Sequence, residues 1–151
     1  MWQSLWSGHE LDFIVKLALS LFAGVLIGFE RESRDKPAGI STQTLVIGGS
    51  ALFTMISFQA DPASPARIAA QVISGVGFLG AGIILKSEHG MVTNLTTAAS
   101  IWFSAALGVA IGFGWYAIAV IAALFSALVP RLPSYGYWKS HRQSGIGSDD
   151  T

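Results

Sequence analysis

The side chains best suited to chemistry form a dense group of charges directly after a long apolar run. The group contains Glu30, Arg31, Glu32, Arg34, Asp35 and Lys36. Ionisable groups are costly inside or beside a membrane, so each is first interpreted as functional, and Glu30 lies closest to the apolar run. The alternative is a solvated loop that balances its own charges, an interpretation that fits Arg34 and Asp35 best.

A second polar group begins a later apolar segment. Arg67, Gln71 and Ser74 are spaced i, i+4 and i+7, so they share one face of a helix. The Arg67 guanidinium stays charged at any ordinary pH. It must either reach outward to the lipid headgroups or meet a carboxylate, and Asp61 and Asp12 are the candidates. Both interpretations remain open.

The sequence offers no pattern typical of an enzyme or a metal site. It has no cysteine, and His9, His89 and His141 lie in three separate regions without ligand spacing. No nucleophile has a positioned base nearby in the sequence. Nine basic and nine acidic residues balance to a net charge of zero, which gives no basic patch for nucleic acid. We therefore expect no catalysis, no metal, no cofactor and no nucleic-acid partner.

The composition predicts an integral membrane protein. Hydrophobic residues make up 52% of the 151 residues and charged residues only 12%, about half the share in soluble domains. A spanning helix needs about 20 mostly apolar residues. The uncharged windows predict an all-α, polytopic bundle with five helices at about 11–30, 43–60, 67–85, 95–111 and 115–129. We expect one transmembrane domain over 1–133 and a short cytoplasmic tail over 134–151, with the lipid bilayer as the surrounding partner.

The last two predicted helices come from one uncharged stretch, Leu95 to Val129. As a single helix it would be about 50 Å long, which exceeds the membrane. Gly112, Phe113 and Gly114 favour a turn, and Pro130 a stop. The alternative is one long tilted helix.

Five spans place most of the basic residues on one side of the membrane. These are Arg31, Arg34, Lys36, Lys86, Arg131, Lys139 and Arg142. The positive-inside rule makes that side the cytoplasm, so the N-terminus is predicted outside and the C-terminus inside. The first eleven residues carry Glu10 and no Lys or Arg, which argues against a cleavable signal peptide.

Mostly small residues recur every four positions in two of the predicted helices, and the third helix is rich in glycine. The first helix has Lys16, Ser20, Gly24 and Gly28; the fourth has Thr96, Ser100, Ser104, Gly108 and Gly112; the third contains Gly75, Gly77, Gly80 and Gly82. Such stripes favour close helix packing. The alternatives are a polar lining for a permeation path, or a broken third helix that binds an ion. Asp12 and Lys16 are spaced to pair, and Ser41 or Thr42 is expected to cap the second helix.

Several blocks of the sequence, in order, resemble the MgtC/SapB family of bacterial membrane proteins. The first block runs from Gly28 through Glu30, Arg31 and Lys36 to Gly39, followed by Leu45 and the run 49–53. The run 67–82 resembles the family's most distinctive block, and the run 95–102 the next. The resemblance covers about residues 10 to 130.

This resemblance implies an inner-membrane protein linked to magnesium limitation, acid stress and ion homeostasis, and to virulence in pathogens. It points to Glu30, Arg31, Lys36, Arg67, Gln71 and Thr96 as the residues to test. Where the family usually has Arg, Thr and His, this chain has Ser41, Thr42 and Gln43, which weakens any pH-sensing role there. Many relatives also carry a soluble C-terminal domain, so we expect this chain to be a short form.

Two functions follow from the residues and the resemblance together. The first is a non-enzymatic regulator of another membrane complex, such as ATP synthase or a cation pump. The second is a transporter or channel for a cation or small solute. The regulator is favoured because no predicted span holds an acidic residue deep in the hydrocarbon, whereas hard divalent cations need several oxygen ligands. For either function a homodimer is expected.

Overall fold

Five α-helices account for most of the chain in the computed structural model, which describes residues 8–86 and 92–132. They are α1 (Glu10–Glu32), α2 (Ile40–Ala60), α3 (Ala66–Ile83), α4 (Leu95–Gly112) and α5 (Tyr116–Leu128), followed by a 3₁₀ turn at Val129–Arg131. The predicted all-α, five-helix fold is confirmed. The predicted cytoplasmic tail lies outside the described residues.

The helices extend beyond the uncharged windows at several ends. Helix α1 continues through Arg31 and Glu32, and α2 begins at Ile40. The absence of charge marks the hydrocarbon layer, whereas helical geometry tolerates charged residues in the first and last turns. Helix α3 ends earlier than predicted, at Ile83. Ile84 is already extended, and Leu85–Lys86 (β1) then pairs antiparallel with Val92–Thr93 (β2).

Four of the helices are long and apolar enough to span a membrane, and these are α1 to α4. The apolar segment Tyr116–Arg131 is shorter. The long uncharged stretch breaks between α4 and α5, where Gly114 adopts φ 79°, a conformation that favours glycine. Phe103 of α4 contacts Phe125 of α5, with ring centroids 5.7 Å apart. These positions lie at similar distances from the turn, so the two helices form an antiparallel hairpin.

Helices α1, α2 and α4 form the centre of the bundle. Ile27, Ile47, Leu107 and Ile111 lie in one core cluster, which Ala119 and Ala123 of α5 complete. Helix α3 packs on the other side, where Val72 and Val76 meet Ile101 and Ala105 of α4. Since α3 lies at the edge of the bundle, much of its surface has no neighbour within the described chain.

Candidate functional site

Arg31 is buried at the end of α1, although it carries a full charge. Its side chain is 2% exposed, and its Nη2 donates a hydrogen bond to the Thr97 hydroxyl at 2.6 Å. Thr97 is 1% exposed and lies in the first turn of α4. A buried guanidinium needs hydrogen-bond partners to offset its lost hydration. The contact therefore ties the end of α1 to the start of α4.

Gln43 is the centre of a second set of buried hydrogen bonds. Its Nε2 donates to the Ser100 hydroxyl at 3.2 Å and to the Ala38 carbonyl at 3.1 Å. Its Oε1 accepts a hydrogen bond from the Ser104 hydroxyl at 2.5 Å. Gln43 and Ser104 are both 0% exposed. We call Arg31, Gln43, Thr97, Ser100 and Ser104 the polar layer.

The loop between α1 and α2 is held by this layer. Ala38 has φ 61°, in the left-handed region that a residue with a Cβ enters at a cost. The hydrogen bond from Gln43 to the Ala38 carbonyl stabilises that conformation. The polar layer thus fixes the shape of the charged loop as well as the helix contacts.

Glu30 is 1% exposed and lies beside Arg31 in the last turn of α1. Its Oε1 accepts a hydrogen bond from Arg34 Nη1 at 3.4 Å. The same nitrogen donates to the carbonyl of Pro130, just after α5. Arg34 therefore joins the ends of α1 and α5. It was predicted to belong to a solvated loop, and nothing in its local sequence indicates a partner 96 residues away.

Glu32 and Lys36 lie on the exposed side of the cluster. The Glu32 carboxylate accepts a hydrogen bond from the backbone N–H of Ile40 at 2.8 Å, at the start of α2. A helix N-terminus carries partial positive charge and free N–H groups, so a carboxylate there is stabilising. The prediction that Ser41 or Thr42 caps α2 is wrong, because both lie inside the helix and Glu32 makes the capping contact.

A separate polar group lies at the opposite end of the bundle. Lys16 is 7% exposed and its Nζ contacts Asp12 Oδ2 at 2.6 Å, the pair that their spacing predicts. The Tyr116 hydroxyl lies 3.3 Å from Asp12 Oδ1. Both Asp12 and Lys16 line a recess of about 450 Å³ with Gln59 and Gly112.

Arg67 and Gln71 lie away from the polar layer. Arg67 is exposed and forms an ion pair with Asp61 at 3.2 Å, one of its two candidate carboxylates. Gln71 is also exposed and lines an apolar groove between α2 and α3. The structure therefore brings Glu30 and Arg31 together but leaves Arg67 and Gln71 on the outside of α3.

Thr96, carried over from the family pattern, is exposed, and its neighbour Thr97 makes the contact with Arg31. One residue changes the direction of a helical side chain by about 100°. Sequence reasoning also missed Gln43 as a bonded group, and interpreted Ser100 and Ser104 as packing residues or as the lining of a permeation path. The signal that could have identified them is that Gln43, Ser100 and Ser104 are polar residues inside otherwise apolar windows.

The glycines fall into two groups. Gly24 and Gly28 lie against the start of α2, where a methyl group would overlap Thr44 and Ile40 respectively. Gly108 and Gly112 lie against Ser50 and Thr54 of α2. These four sit at close helix contacts. By contrast, a Cβ at Gly75, Gly77 or Gly82 would meet no atom within 4 Å, and at Gly80 only Ala98 at 3.8 Å. For the α3 glycines, packing stays a prediction about contacts outside the chain.

The arrangement is suited to holding helices in a fixed relation. Each member of the polar layer is bonded to another helix or to the charged loop, and all are less than 10% exposed. Among the described residues, no group of three His, Asp or Glu side chains is placed to hold a metal ion.

Comparison with known proteins identifies the family. The sequence model of the MgtC family matches residues 17–133, most of the chain and all of the polar layer. The chain belongs to the MgtC family. The predicted MgtC/SapB membership is confirmed, and with four helices suited to spanning a membrane this is a multi-pass membrane protein.

Three MgtC-family relatives illustrate the similarity. Protein MgtC of Salmonella typhimurium LT2 is 45% identical over 112 residues, which cover 74% of this chain and 48% of that protein. Protein SapB of Bacillus subtilis is 39% identical over 123 residues, covering 76% and 53%. The putative magnesium transporter YhiD of Escherichia coli is 45% identical over 127 residues, covering 78% and 59%. The chain thus spans about half the length of these relatives. No solved structure matches it.

Proposed function

We propose that this chain is a non-enzymatic regulator of magnesium and ion homeostasis in the bacterial inner membrane, and that it acts by contacting another membrane complex, such as ATP synthase or a cation pump. Membership of the MgtC family supports a role in magnesium homeostasis. The Escherichia coli relative carries the name putative magnesium transporter, which connects the family to magnesium and agrees with the transport candidate below.

The observation that carries the regulatory role is the sealed character of the polar layer. Gln43 and Ser104 are both 0% exposed and bond to protein groups, whereas Arg31, at 2% exposed, bonds to Thr97 through Nη2 and leaves its buried Nε without a partner among the described residues. A permeation path would instead need polar groups that face water or the ion. Burying hydrogen-bonded polar groups between helices fixes their register, which suits a protein that presents a defined surface to a partner.

Flux measurements test the proposal directly. The purified chain would be reconstituted into liposomes that contain a magnesium-sensitive dye, with protein-free liposomes as the reference. A regulator gives magnesium entry equal to that of the reference. Entry that rises with the amount of protein and falls in Glu30→Gln would contradict the proposal.

The regulatory contact needs a positive test in cells. A strain that lacks this protein would be grown in low magnesium with the wild-type chain or with Arg31→Met. We expect growth to be restored by the wild-type chain and reduced by the variant, and photo-crosslinks to a subunit of ATP synthase or a cation pump to fall in parallel. Restored growth without any such crosslink would count against a regulatory contact.

Transport of a cation is the second candidate, favoured by the polar recess at the Asp12 end. Buried hydroxyls lie beside two residues that line this recess: Ser20 donates to the Lys16 carbonyl at 2.8 Å, and Thr54 lies against Gly112. The Lys16 ammonium borders the same recess and pairs with Asp12, so it neutralises the carboxylate that would otherwise attract a cation there. Transport would therefore predict faster flux in Lys16→Met than in the wild-type chain, whereas a regulator predicts no flux in either.

A further inference from the structure

One face of α3 is exposed along its whole length, although α3 is long and apolar enough to span a membrane. Its residues recur at i, i+3, i+4, i+7, i+10 and i+11, and we call them the α3 outer face: Gln71, Ser74, Gly75, Phe78, Ala81 and Gly82. The other side of the same helix carries the buried residues Ala69, Val72 and Val76. No helix of the described chain covers the α3 outer face, although Gln71 and Gly75 at its edge also line the groove beside α2.

This face combines a projecting side chain with gaps on either side. Phe78 is 83% exposed, the highest value among the exposed large hydrophobic side chains of the described residues. Gly75 and Gly82 lie about one turn before and one turn after it, and a Cβ at either would meet no atom within 4 Å. Small residues allow helix backbones to approach closely in lipid, where packing drives association. A second helix with the same face has gaps of its own that can receive Phe78. Its Phe78 ring can in turn fill the gaps beside Gly75 and Gly82 of the first helix.

The side-chain amide of Gln71 needs hydrogen-bond partners that the described chain does not supply. It is exposed, and no hydrogen bond from its side chain to the described residues is formed. It lies five residues into α3, so about 7.5 Å along the helix from Ala66. Lipid tails can neither donate to nor accept from its amide, whose nitrogen and oxygen carry opposite partial charges.

A second copy meets both requirements at once. Copies inserted in the same direction are related by a two-fold axis along the membrane normal, and a two-fold contact places the same patch of each copy against the other. The two Gln71 amides then meet at the same depth, where each can donate to the other's oxygen. A different helix would need both a donor and an acceptor at that depth and gaps in the same register.

We propose that the α3 outer face is a self-association surface, and that its partner is the α3 outer face of a second copy of this chain. Phe78 of each copy packs over the glycines of the other, and the Gln71 amides form a hydrogen-bonded pair. This contact covers the part of α3 that the chain leaves open. It does not depend on the proposed regulatory role.

The absence of cysteine makes the contact easy to map. Single cysteines would be placed at each position from 70 to 82 and oxidised in liposomes that contain only this protein. We expect disulfide-linked dimers to peak with helical periodicity at the α3 outer face and to be minimal at Val72 and Val76. Ile121→Cys on α5, where Ile121 is 68% exposed, is the matched control and should give little dimer. Equal crosslinking at all positions, or none, overturns the proposal.

Bulky substitutions test the same surface without unfolding the monomer. Gly75→Leu and Gly82→Leu add a side chain into open space, so thermal unfolding of the monomer in detergent should be unchanged. The fraction of two-step photobleaching events in liposomes should fall, with self-association weakened about 3- to 30-fold. Gln71→Leu should weaken it in the same range. Unchanged association in all three variants overturns the proposal. The proposal is also overturned if the wild-type chain is monomeric alone and crosslinks at this face only to another protein.

Discussion

The guanidinium of Arg31 and the hydroxyl of Thr97 lie 2.6 Å apart, although 66 residues separate them in the sequence. Their hydrogen bond joins the last turn of α1 to the first turn of α4. Both side chains are almost completely buried. A charged group and its partner thus lie in the protein interior, at the point where the charged loop meets the bundle.

Removing the Thr97 hydroxyl should destabilise the bundle. Thr97→Val keeps the shape of the side chain but leaves the buried Arg31 without this acceptor, and an unsatisfied buried group costs about 1–3 kcal/mol. We expect the free energy of unfolding in detergent to fall by that amount. Thr96→Val is the matched control, because Thr96 is exposed and should change stability little. Equal effects of the two substitutions would mean that the Arg31 contact is not formed.

Gln43 should be the most sensitive amide of α2. Gln43→Leu loses three hydrogen bonds, about 3 kcal/mol at roughly 1 kcal/mol each, and frees the Ala38 loop. The same change at the exposed Gln59 serves as the control. Chemical unfolding of both variants measures the difference, and limited proteolysis should cut the loop faster in Gln43→Leu. A variant as stable as the wild-type chain would argue against the polar layer.

Replacing a glycine at a close helix contact and replacing one beside open space should change the stability of the bundle in opposite directions. At Gly108 an added methyl group would lie 2.6 Å from Ser50 Cβ and would overlap the Ile47 carbonyl, so Gly108→Ala should cost about 1–3 kcal/mol. At Gly49 nothing lies within 4 Å, and Gly49→Ala should stabilise the helix by about 0.5–1 kcal/mol. Thermal unfolding of the two variants side by side gives the sign of each effect, and a loss at Gly49 would be inconsistent with the open space there.

The two termini should lie on opposite sides of the membrane. The sequence predicts five spans, and with them the distribution of basic residues predicts the N-terminus outside and the C-terminus inside. In the cysteine-free chain, Ser4→Cys should react with a membrane-impermeant maleimide in intact spheroplasts. Ser148→Cys should react only after the membrane is opened. Labelling of both sites in intact spheroplasts would exclude an odd number of spans.

The five helices could be predicted from sequence because the hydrophobicity that drives a segment into the membrane is a property of each residue. Apolar windows of membrane length leave a spanning helix as the solution that satisfies the backbone, and Gly114 with Pro130 mark the ends of α5. The ion pair of Asp12 and Lys16 could likewise be predicted, since it depends only on a spacing of one helix turn. These features are local, so composition and periodicity are enough to determine them.

The membership of the polar layer was decided by tertiary structure alone. Whether Thr96 or Thr97 faces Arg31 depends on the rotation of α4 against α1, a difference of one residue that both sequence patterns allow. Gln43 finds Ser100 and Ser104 only because α2 and α4 pack at a particular register. The sequence alone determined where charge and apolar length occur along the chain, but hydrogen bonds between helices depend on distances of a few tenths of an ångström, and packing sets those distances.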